Sequence, residues 1–279
     1  MSKIGLKREI TDKFYTKTNI ARDCFTQFIN HVSPKKTDYL IEPSAGNGSF
    51  SNLFKEFNFT KTYQYDILPE HEGITKMDFL ELDVTKFKEC KRQVHVIGNP
   101  PFGRQSSIAK QFIKKCGEFA DSISFILPKS FKKESMNKVF PLNFHLVFEE
   151  DIPNDSFTID DASYHVECVF QVWIRKETER EVNKAVTPIL YTYVKKNESP
   201  SLSIRRVGVN AGKLSEEILD KSIQSHYFIK LKEGVSKELF LEEYNKNVKF
   251  QFNNSVGPKS ISKSEFDKEI VECLQNLQI

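Results

Sequence analysis

The first two thirds of the chain alternate short apolar runs with segments whose apolar residues recur at helical spacing. The strand-like runs occupy residues 38–42, 63–66, 96–98, 122–127, 144–148 and 164–174, and the helical segments occupy 19–31 and 108–119. Strands that alternate with helices in this way predict βαβ units around a mostly parallel sheet. We therefore expect an α/β fold of the Rossmann-like kind in this part of the chain, with the runs at 144–148 and 164–174 paired.

The last third of the chain has a different pattern. Strand-like runs at 189–194, 201–207 and 226–231 come first, and helical segments at 236–244 and 264–277 follow. This order predicts a small α+β module. A charged run at 175–181 lies between the two patterns and is interpreted as a linker or a helix start. The predicted domains are residues 1–180 and 181–279.

Composition excludes several classes of protein. With 279 residues and 39% hydrophobic content, the chain can bury one or two cores. It has no run of about 18 apolar residues and no charged-then-apolar leader, so neither a membrane span nor a secretory signal is expected. The five cysteines are scattered without C-x-x-C spacing, and no H-E-x-x-H occurs. These patterns predict no disulfide framework and no metal site, and they favour the cytoplasm or another reducing intracellular compartment.

The net charge of +3 is unevenly distributed. From residue 184 onward the chain carries 15 Lys and Arg against 12 Asp and Glu, so the whole excess lies in the last third. Within it, Arg205, Arg206, Lys213 and Lys259 lie in stretches without an acid that suit contacts to nucleic-acid phosphates. The competing interpretation is the solvated face of an accessory domain.

The strand at 96–98 ends in the sequence Asn99-Pro100-Pro101-Phe102. Each proline fixes φ and lacks an N–H, and Asn99, which precedes a proline, is pushed to extended geometry. The side-chain oxygen of Asn99 and the carbonyl of Pro100 can then point the same way, beside the ring of Phe102. Two converging acceptors next to an aromatic ring suit a planar amine such as adenine N6, whose N–H groups both need acceptors.

Two glycines, Gly46 and Gly48, directly follow the strand that ends in Glu42. Glycines at this point let the backbone turn tightly and approach a ligand, although the full fingerprint of dinucleotide-binding folds is absent. Asp66 ends the next strand about 20 residues beyond Gly46, where an α/β nucleoside site needs a carboxylate for two ribose hydroxyls. Taken alone, the glycine segment is also typical of an ordinary connection between a strand and a helix.

These motifs resemble those of the amino-methyltransferases. They follow one another along the chain as in the enzymes of this family whose motif arrangement is called gamma, with the cofactor segment before the catalytic motif. Those enzymes use S-adenosylmethionine to methylate adenine N6, cytosine N4 or a protein glutamine. The resemblance covers roughly residues 13–175 and implies a class I methyltransferase fold. It assigns catalysis to Asn99, Pro100, Pro101 and Phe102, with Asn99 and Pro100 binding the target amine and Phe102 stacking on the target ring.

The resemblance also implies a site for the cofactor S-adenosylmethionine. Glu42 and the glycine-rich turn would hold its methionine part, Asp66 its ribose, and Asp78 its adenine amino group. The residues assigned to the cofactor are Thr16, Glu42, Ser44, Gly46, Gly48, Asp66, Ile67, Asp78, Phe79 and Asn99. For the segment of Thr16, a plain amphipathic N-terminal helix without cofactor contact is the alternative.

The function that the resemblance implies is methyl transfer to the N6 amino group of adenine in DNA, with the base flipped out of the duplex. Phe157, in a loop-like stretch, is the candidate for covering the other face of the base, and Phe131 competes for that role. An RNA adenine-N6 methyltransferase is the main alternative. A protein glutamine methyltransferase and a catalytically silent partner subunit that binds nucleic acid are weaker ones. DNA is the expected partner, and the oligomeric state stays open.

Overall fold

The computed structural model describes residues 14–159, 162–164, 166–181, 186–250, 252 and 259–274. The chain divides into two compact units, Met1–Glu181 and Val182–Ile279. That residues 1–180 and 181–279 act as separate domains stays a prediction.

The described part of the first unit contains strands and α-helices in alternation. In chain order they are β1 (Tyr15–Thr16), α1 (Thr18–Val32), β2 (Tyr39–Glu42), α2 (Ser51–Glu56), β3 (Lys61–Asp66), β4 (Thr75–Lys76), α3 (Thr85–Lys88), β5 (Val94–Gly98), α4 (Ser107–Gly117), β6 (Ser122–Pro128), α5 (Glu134–Asn137), β7 (Phe144–Asp151), β8 (Phe157–Ile159), β9 (Ala162–Tyr164) and β10 (Cys168–Arg175). Short 3-10 turns at Phe79–Glu81, Arg104–Ser106 and Lys129–Lys132 join some of them.

Seven of these strands form one sheet in the order β4-β3-β2-β5-β6-β10-β7. Neighbouring strands are parallel except that β10 is antiparallel to both β6 and β7. The chain winds outward in both directions from the adjacent strands β2 and β5, so the topological switch point lies between them. This confirms the predicted Rossmann-like α/β fold with a mostly parallel sheet, in which ligands bind beyond the carboxyl ends of the strands at the switch point.

Both faces of the sheet are covered, which explains why its central strands are apolar throughout. Ile41 and Val96 belong to the core that also contains residues of α4, whereas Leu40 and Ile97 belong to a second core with residues of α1. Because consecutive strand residues point to opposite faces, one four-residue strand such as β2 contributes to both cores. Packing on both faces therefore fixes the positions of the central strands and of the residues at their ends.

A small antiparallel sheet in the order β1-β8-β9 is a feature that the sequence patterns did not predict. Strand β1 pairs with β8 through Tyr15↔Thr158 and Thr16↔Phe157. The prediction of a single strand over 164–174 is wrong at its start, because β9 forms a hairpin with β8 and β10 begins at Cys168. Phe157, expected in a loop, lies in a strand.

The run at 175–181, predicted as a linker or a helix start, contains no helix and lies at the end of the first unit. Arg175 ends β10, and its guanidinium donates to the carbonyls of Ala120 at 2.8 Å and Gly117 at 2.7 Å. Arg180 donates to four main-chain carbonyls between positions 137 and 144. Two charged side chains of this run, Arg175 and Arg180, therefore anchor it to the first unit, whereas Lys176 and the three glutamates are exposed.

The second unit consists of β11 (Tyr191–Tyr193), β12 (Leu202–Arg205), β13 (Leu214–Ser215), β14 (His226–Leu231), α6 (Lys237–Asn247) and α7 (Lys263–Leu274) in its described part. Its antiparallel sheet has the order β11-β14-β12-β13. Tyr191, Ile204, Phe240 and Phe266 meet in its core, which confirms the predicted small α+β module. Residues 275–277 of the predicted last helix lie outside the described residues.

The described residues lack two further kinds of feature. Each described helix is too short or too polar to cross a lipid bilayer. The same residues contain no cluster of three or more His, Cys, Asp or Glu side chains that could hold a metal ion.

Candidate functional site

A cavity of about 310 Å³ opens beyond the carboxyl ends of β2, β3 and β5 in the first unit. Three acids, Glu42, Asp66 and Asp78, line it together with the amide of Asn99. Among the described residues that line it, none is Lys, Arg or His. A cavity with several acids and no cation disfavours phosphate and favours a ligand that carries positive charge.

Glu42, the last residue of β2, is only 2% exposed. Its Oε2 accepts a hydrogen bond from the Ser51 hydroxyl. Burial raises the pKa of Glu42 to about 8, because that hydrogen bond does not offset the loss of water around the carboxylate. In the ligand-free protein this side chain is therefore mostly protonated at neutral pH, and a neighbouring cation would favour its ionised form.

The carboxylate of Asp66, at the end of β3, is held by two main-chain groups. Its Oδ2 accepts from the N–H of Gly46 at 2.8 Å, and its Oδ1 accepts from the N–H of Leu68 at 2.8 Å. A carboxylate has about four acceptor positions, so Asp66 can still accept from ligand hydroxyls. Asp66 thus links the glycine turn after β2 to the end of β3.

The glycine turn approaches the cavity closely at Gly46, which has φ +48° and lines the cavity. A Cβ at this position would lie 3.2 Å from the ring of Tyr15. Ser44 also lines the cavity, and its hydroxyl donates to the main-chain oxygen of Asn99 at 3.0 Å. Gly48, with φ +85°, shapes the turn but does not line the cavity.

Apolar side chains that are open to solvent form another part of the wall. Ile67, Leu68 and Met77 are 52%, 45% and 38% exposed and all line the cavity. Exposed apolar surface inside a concave site suits a flat ring. Of these three residues, only Ile67 was assigned to the cofactor from the sequence.

Asp78 and Phe79 close the same side of the cavity. Asp78 caps the 3-10 turn, because its Oδ1 accepts from the N–H of Leu80 at 2.9 Å. Phe79 is 1% exposed and stacks on Phe112 with ring centroids 5.4 Å apart. Phe79 therefore presents only a small part of its surface to the cavity.

The side-chain amide of Asn99 lies just beyond β5. Its Nδ2 donates to the carbonyl of Phe14 and to Oγ1 of Thr16, each at 3.2 Å. Its Oδ1 is buried and has no hydrogen-bond partner among the described residues. Thr16, which the resemblance assigned to the cofactor, lines the cavity and in this structure also bonds to Asn99.

Phe102 is more deeply packed than the sequence suggested. It is 7% exposed, and it is not among the described residues that line the cavity. Phe157 is fully buried. The ring of Phe14 contacts both, with its centroid 6.2 Å from that of Phe102 and 6.4 Å from that of Phe157. Phe131 packs in the core on the opposite face of the sheet, away from these rings.

The remaining residues of the predicted catalytic motif differ in position. Pro101 lines the cavity, whereas Pro100 is buried and does not. Phe14 and Tyr15 line the cavity as well; the resemblance includes the segment that they share with Thr16, but only Thr16 was assigned to the cofactor. The one local signal was two adjacent aromatic residues before α1, and their position depends on the distant strand β8.

The residues predicted to bind nucleic acid in the second unit fall into two groups. Arg205 is half-buried, and its guanidinium donates to the carbonyl of Val207 at 2.7 Å and to the Ser225 hydroxyl at 3.2 Å. This side chain therefore stabilises its own unit. Lys213 is exposed and lines a surface cavity that also contains the cations Arg205 and Lys221 and the acids Glu217 and Asp220.

Arg206 and Lys259 are exposed. The guanidinium carbon of Arg206 lies 5.2 Å from the ring centroid of Tyr227, and Nζ of Lys259 lies 5.1 Å from that of Phe252. Cations held over aromatic rings keep their charge at the surface. These two residues remain candidates for phosphate contacts.

Taken together, the cavity in the first unit fits S-adenosylmethionine. The acids suit its ammonium and sulfonium charges and its ribose hydroxyls, and the wall of Ile67, Leu68 and Met77 suits its adenine ring. Because residue 46 is a glycine, no side chain fills the space between the turn and the ring of Tyr15.

No protein-family model and no curated protein matches the chain. Among solved structures, it is similar to a candidate RNA methyltransferase from Pyrococcus horikoshii, with 16% identity over 62% of this chain and 92% of that one and a TM-score of 0.44. A candidate class I S-adenosylmethionine-dependent methyltransferase from Listeria monocytogenes is 14% identical over 64% and 67%, with a TM-score of 0.45. A candidate methylase from Haemophilus influenzae is 13% identical over 58% and 100%, with a TM-score of 0.38. At these values the similarity does not decide what this chain does.

Proposed function

We propose that this protein transfers a methyl group from S-adenosylmethionine to the N6 amino group of adenine in DNA. The observation that carries the proposal is the buried Oδ1 of Asn99, which lacks a partner among the described residues beside an acid-lined cavity. Leaving a buried acceptor unpaired costs about 1–3 kcal/mol, so a ligand N–H that pairs with it is favoured. The resemblance of the surrounding motifs supports adenine N6 as that ligand group.

The cofactor would occupy the acid-lined part of the cavity. Glu42 would take its ammonium group, Asp66 its ribose hydroxyls and Asp78 its adenine amino group, with Ile67 against the adenine ring. When bound, S-adenosylmethionine supplies a methyl group activated by the adjacent sulfonium.

Asn99 would bind the acceptor amine. Its Oδ1 would accept one N–H of that amine, and the resemblance assigns the other to the carbonyl of Pro100, a residue that does not line the cavity in the ligand-free protein. Holding both hydrogens reduces the conjugation of the amine lone pair with the ring and makes the nitrogen a better nucleophile. The methylated nitrogen is cationic and loses a proton readily to water, so the reaction needs no dedicated base.

The target base would have to leave the duplex to reach this site. Unstacking costs a few kcal/mol, and contact with the ring of Phe102 would repay part of it. Arg206 and Lys259 would contact phosphates, which positions nucleic acid without selecting DNA over RNA. An RNA substrate is therefore the alternative that the experiment has to address.

The test is incubation of the protein with labelled S-adenosylmethionine and matched DNA and RNA, each as duplex and as single strand. Nucleosides released by digestion are then identified by mass spectrometry. We expect N6-methyladenine from DNA. Label in RNA alone would replace the DNA assignment, and label in cytosine, in protein or nowhere would contradict the proposal.

The matching variant is Asn99→Ala. We expect turnover to fall by roughly 100- to 1000-fold, as for other lost preorganised polar contacts, with an unchanged dissociation constant for the cofactor by calorimetry. Asn30→Ala, on the exposed side of α1, is the control and should keep full activity. Wild-type turnover in Asn99→Ala would remove Asn99 from the catalytic site.

A further inference from the structure

The two ends of the Asn99 side-chain amide have different surroundings. Nδ2 lies 3.2 Å from the carbonyl oxygen of Phe14 and 3.2 Å from Oγ1 of Thr16. A carbonyl oxygen can only accept, so the atom that faces Phe14 has to be the nitrogen. This contact determines which way round the amide lies and leaves Oδ1 as the end without a partner among the described residues.

We propose that Thr16 is a positioning residue that acts through Asn99. The inference deepens the proposed function and rests on it. The Thr16 hydroxyl accepts one of the two amide hydrogens of Asn99, and the carbonyl of Phe14 accepts the other. With both hydrogens engaged, the amide is locked in the orientation in which Oδ1 can accept a hydrogen from the methyl acceptor.

The position of Thr16 is itself well determined. The residue is 6% exposed and pairs with Phe157 across the small sheet. Its main-chain oxygen accepts a hydrogen bond from the Ser49 hydroxyl at 2.8 Å. Thr16 is therefore held from two sides, which allows it to hold Asn99 in turn.

Loss of the Thr16 hydroxyl would leave one buried amide hydrogen of Asn99 unpaired. The amide could then rotate toward another acceptor, and Oδ1 would move with it. Because catalysis depends on groups that are oriented before the reaction, the effect should appear in kcat. Thr16 itself lines the cavity, but the acids there are unchanged, so any loss of cofactor affinity should be smaller than the loss of kcat.

The experiment compares Thr16→Val, which keeps the shape but removes the hydroxyl, with Thr16→Ser, which keeps the hydroxyl. We expect kcat to fall about 10- to 100-fold in Thr16→Val and to stay within about threefold of wild type in Thr16→Ser. The KM for nucleic acid should remain close to wild type in both, and any rise in the dissociation constant for the cofactor should be smaller than the fall in kcat. Equal impairment of the two variants, or wild-type kcat in Thr16→Val, would overturn the proposal.

Thr158→Val is the matched control. Thr158 lies opposite Tyr15 in the adjacent strand of the same small sheet, so this variant also removes a threonine hydroxyl from that sheet. It should keep wild-type kcat. A loss as large as that of Thr16→Val would mean that the sheet, and not the bond to Asn99, is responsible.

A measurement without turnover separates this inference from the proposed function. The side-chain NH₂ signals of Asn99 can be assigned by NMR from their disappearance in Asn99→Asp. We expect slow hydrogen exchange of this group in wild type and Thr16→Ser, and at least tenfold faster exchange in Thr16→Val. Unchanged exchange in Thr16→Val would overturn the positioning role. The expected exchange pattern in a protein without methyltransferase activity would instead contradict the proposed function alone.

Discussion

The two ends of the cavity differ in how far their polar groups are already paired. At the acidic end, Asp66 accepts from two main-chain N–H groups and Asp78 from one. At the other end, Asn99 is held by its nitrogen while its oxygen is left without a partner among the described residues. The first end is thus built into the fold, whereas under the proposed function the second would be completed by a ligand. Substitutions at the acidic end should therefore change affinity and stability, and those near Asn99 should change turnover.

Asp66→Ala should give the largest effect on cofactor binding. It removes the contact proposed to the ribose hydroxyls and the two hydrogen bonds that orient the turn at Gly46 and the residue Leu68. We expect the dissociation constant for S-adenosylmethionine to rise about 100-fold by calorimetry, which corresponds to about 2.7 kcal/mol. Asp66→Asn keeps one acceptor oxygen and should raise it roughly tenfold. An unaltered constant in Asp66→Ala would exclude Asp66 from the site.

Gly46→Ala should have a smaller effect on the same end. The new Cβ would lie 3.2 Å from the ring of Tyr15, and φ of +48° is unfavourable for alanine by about 1 kcal/mol. We expect a roughly tenfold weaker affinity for the cofactor together with a lower Tm. Gly73→Ala is the control, because Gly73 also has positive φ but its Cβ would meet nothing within 4 Å. A change in affinity in both variants would mean that backbone strain alone is responsible.

Local patterns in the sequence predicted those features of the site and fold that depend on residues close together in the chain. Helix α1 was expected over 19–31 and extends over Thr18–Val32, because its buried residues Ile20, Cys24 and Phe28 recur every four positions. The acids at the ends of β2 and β3 were found because strands that end in a carboxylate are visible in a single sequence.

Features that depend on contacts between distant segments could not be predicted in this way. The hydrogen bond between Thr16 and Asn99 joins residues 83 positions apart. It depends on β1, a strand of two residues that exists because it pairs with β8. Arg205 illustrates the same limit, since only the fold shows that its guanidinium is used within its own unit.

The variant Glu42→Gln tests the acidic end of the cavity through the pH dependence of stability. The pKa of Glu42 is raised by burial from 4.5 to about 8, so between these values the folded protein binds more protons than the unfolded chain. The ligand-free protein should therefore lose stability as pH rises through this range. His95 acts in the opposite direction, because burial lowers its pKa below 6.5, but its contribution no longer changes well above that pH.

The measurement is Tm between about pH 7 and 8.5, where Glu42 still titrates. Wild type should lose stability over this range, and Glu42→Gln, which cannot ionise, should lose less. Parallel curves for the two proteins would show that Glu42 does not hold a proton in the folded state.

Ile67→Ala should give the smallest effect. Ile67 is 52% exposed in the ligand-free protein, so the variant should fold with nearly the same Tm. Covering its side chain with the adenine ring of the cofactor contributes roughly 1 kcal/mol, so we expect a three- to fivefold weaker affinity by calorimetry. Leu219→Ala, at a residue of the second unit that is 88% exposed, should leave the affinity unchanged.

The ring of Phe14 contacts both Phe102 and Phe157. Under the proposed function, a base that stacks on Phe102 would replace the contact that Phe14 makes with that ring. The net gain from stacking is the difference between two similar contacts and is small. Recognition of an acceptor base would then depend mainly on the hydrogen bonds it forms, which favours bases that are already unpaired when they arrive.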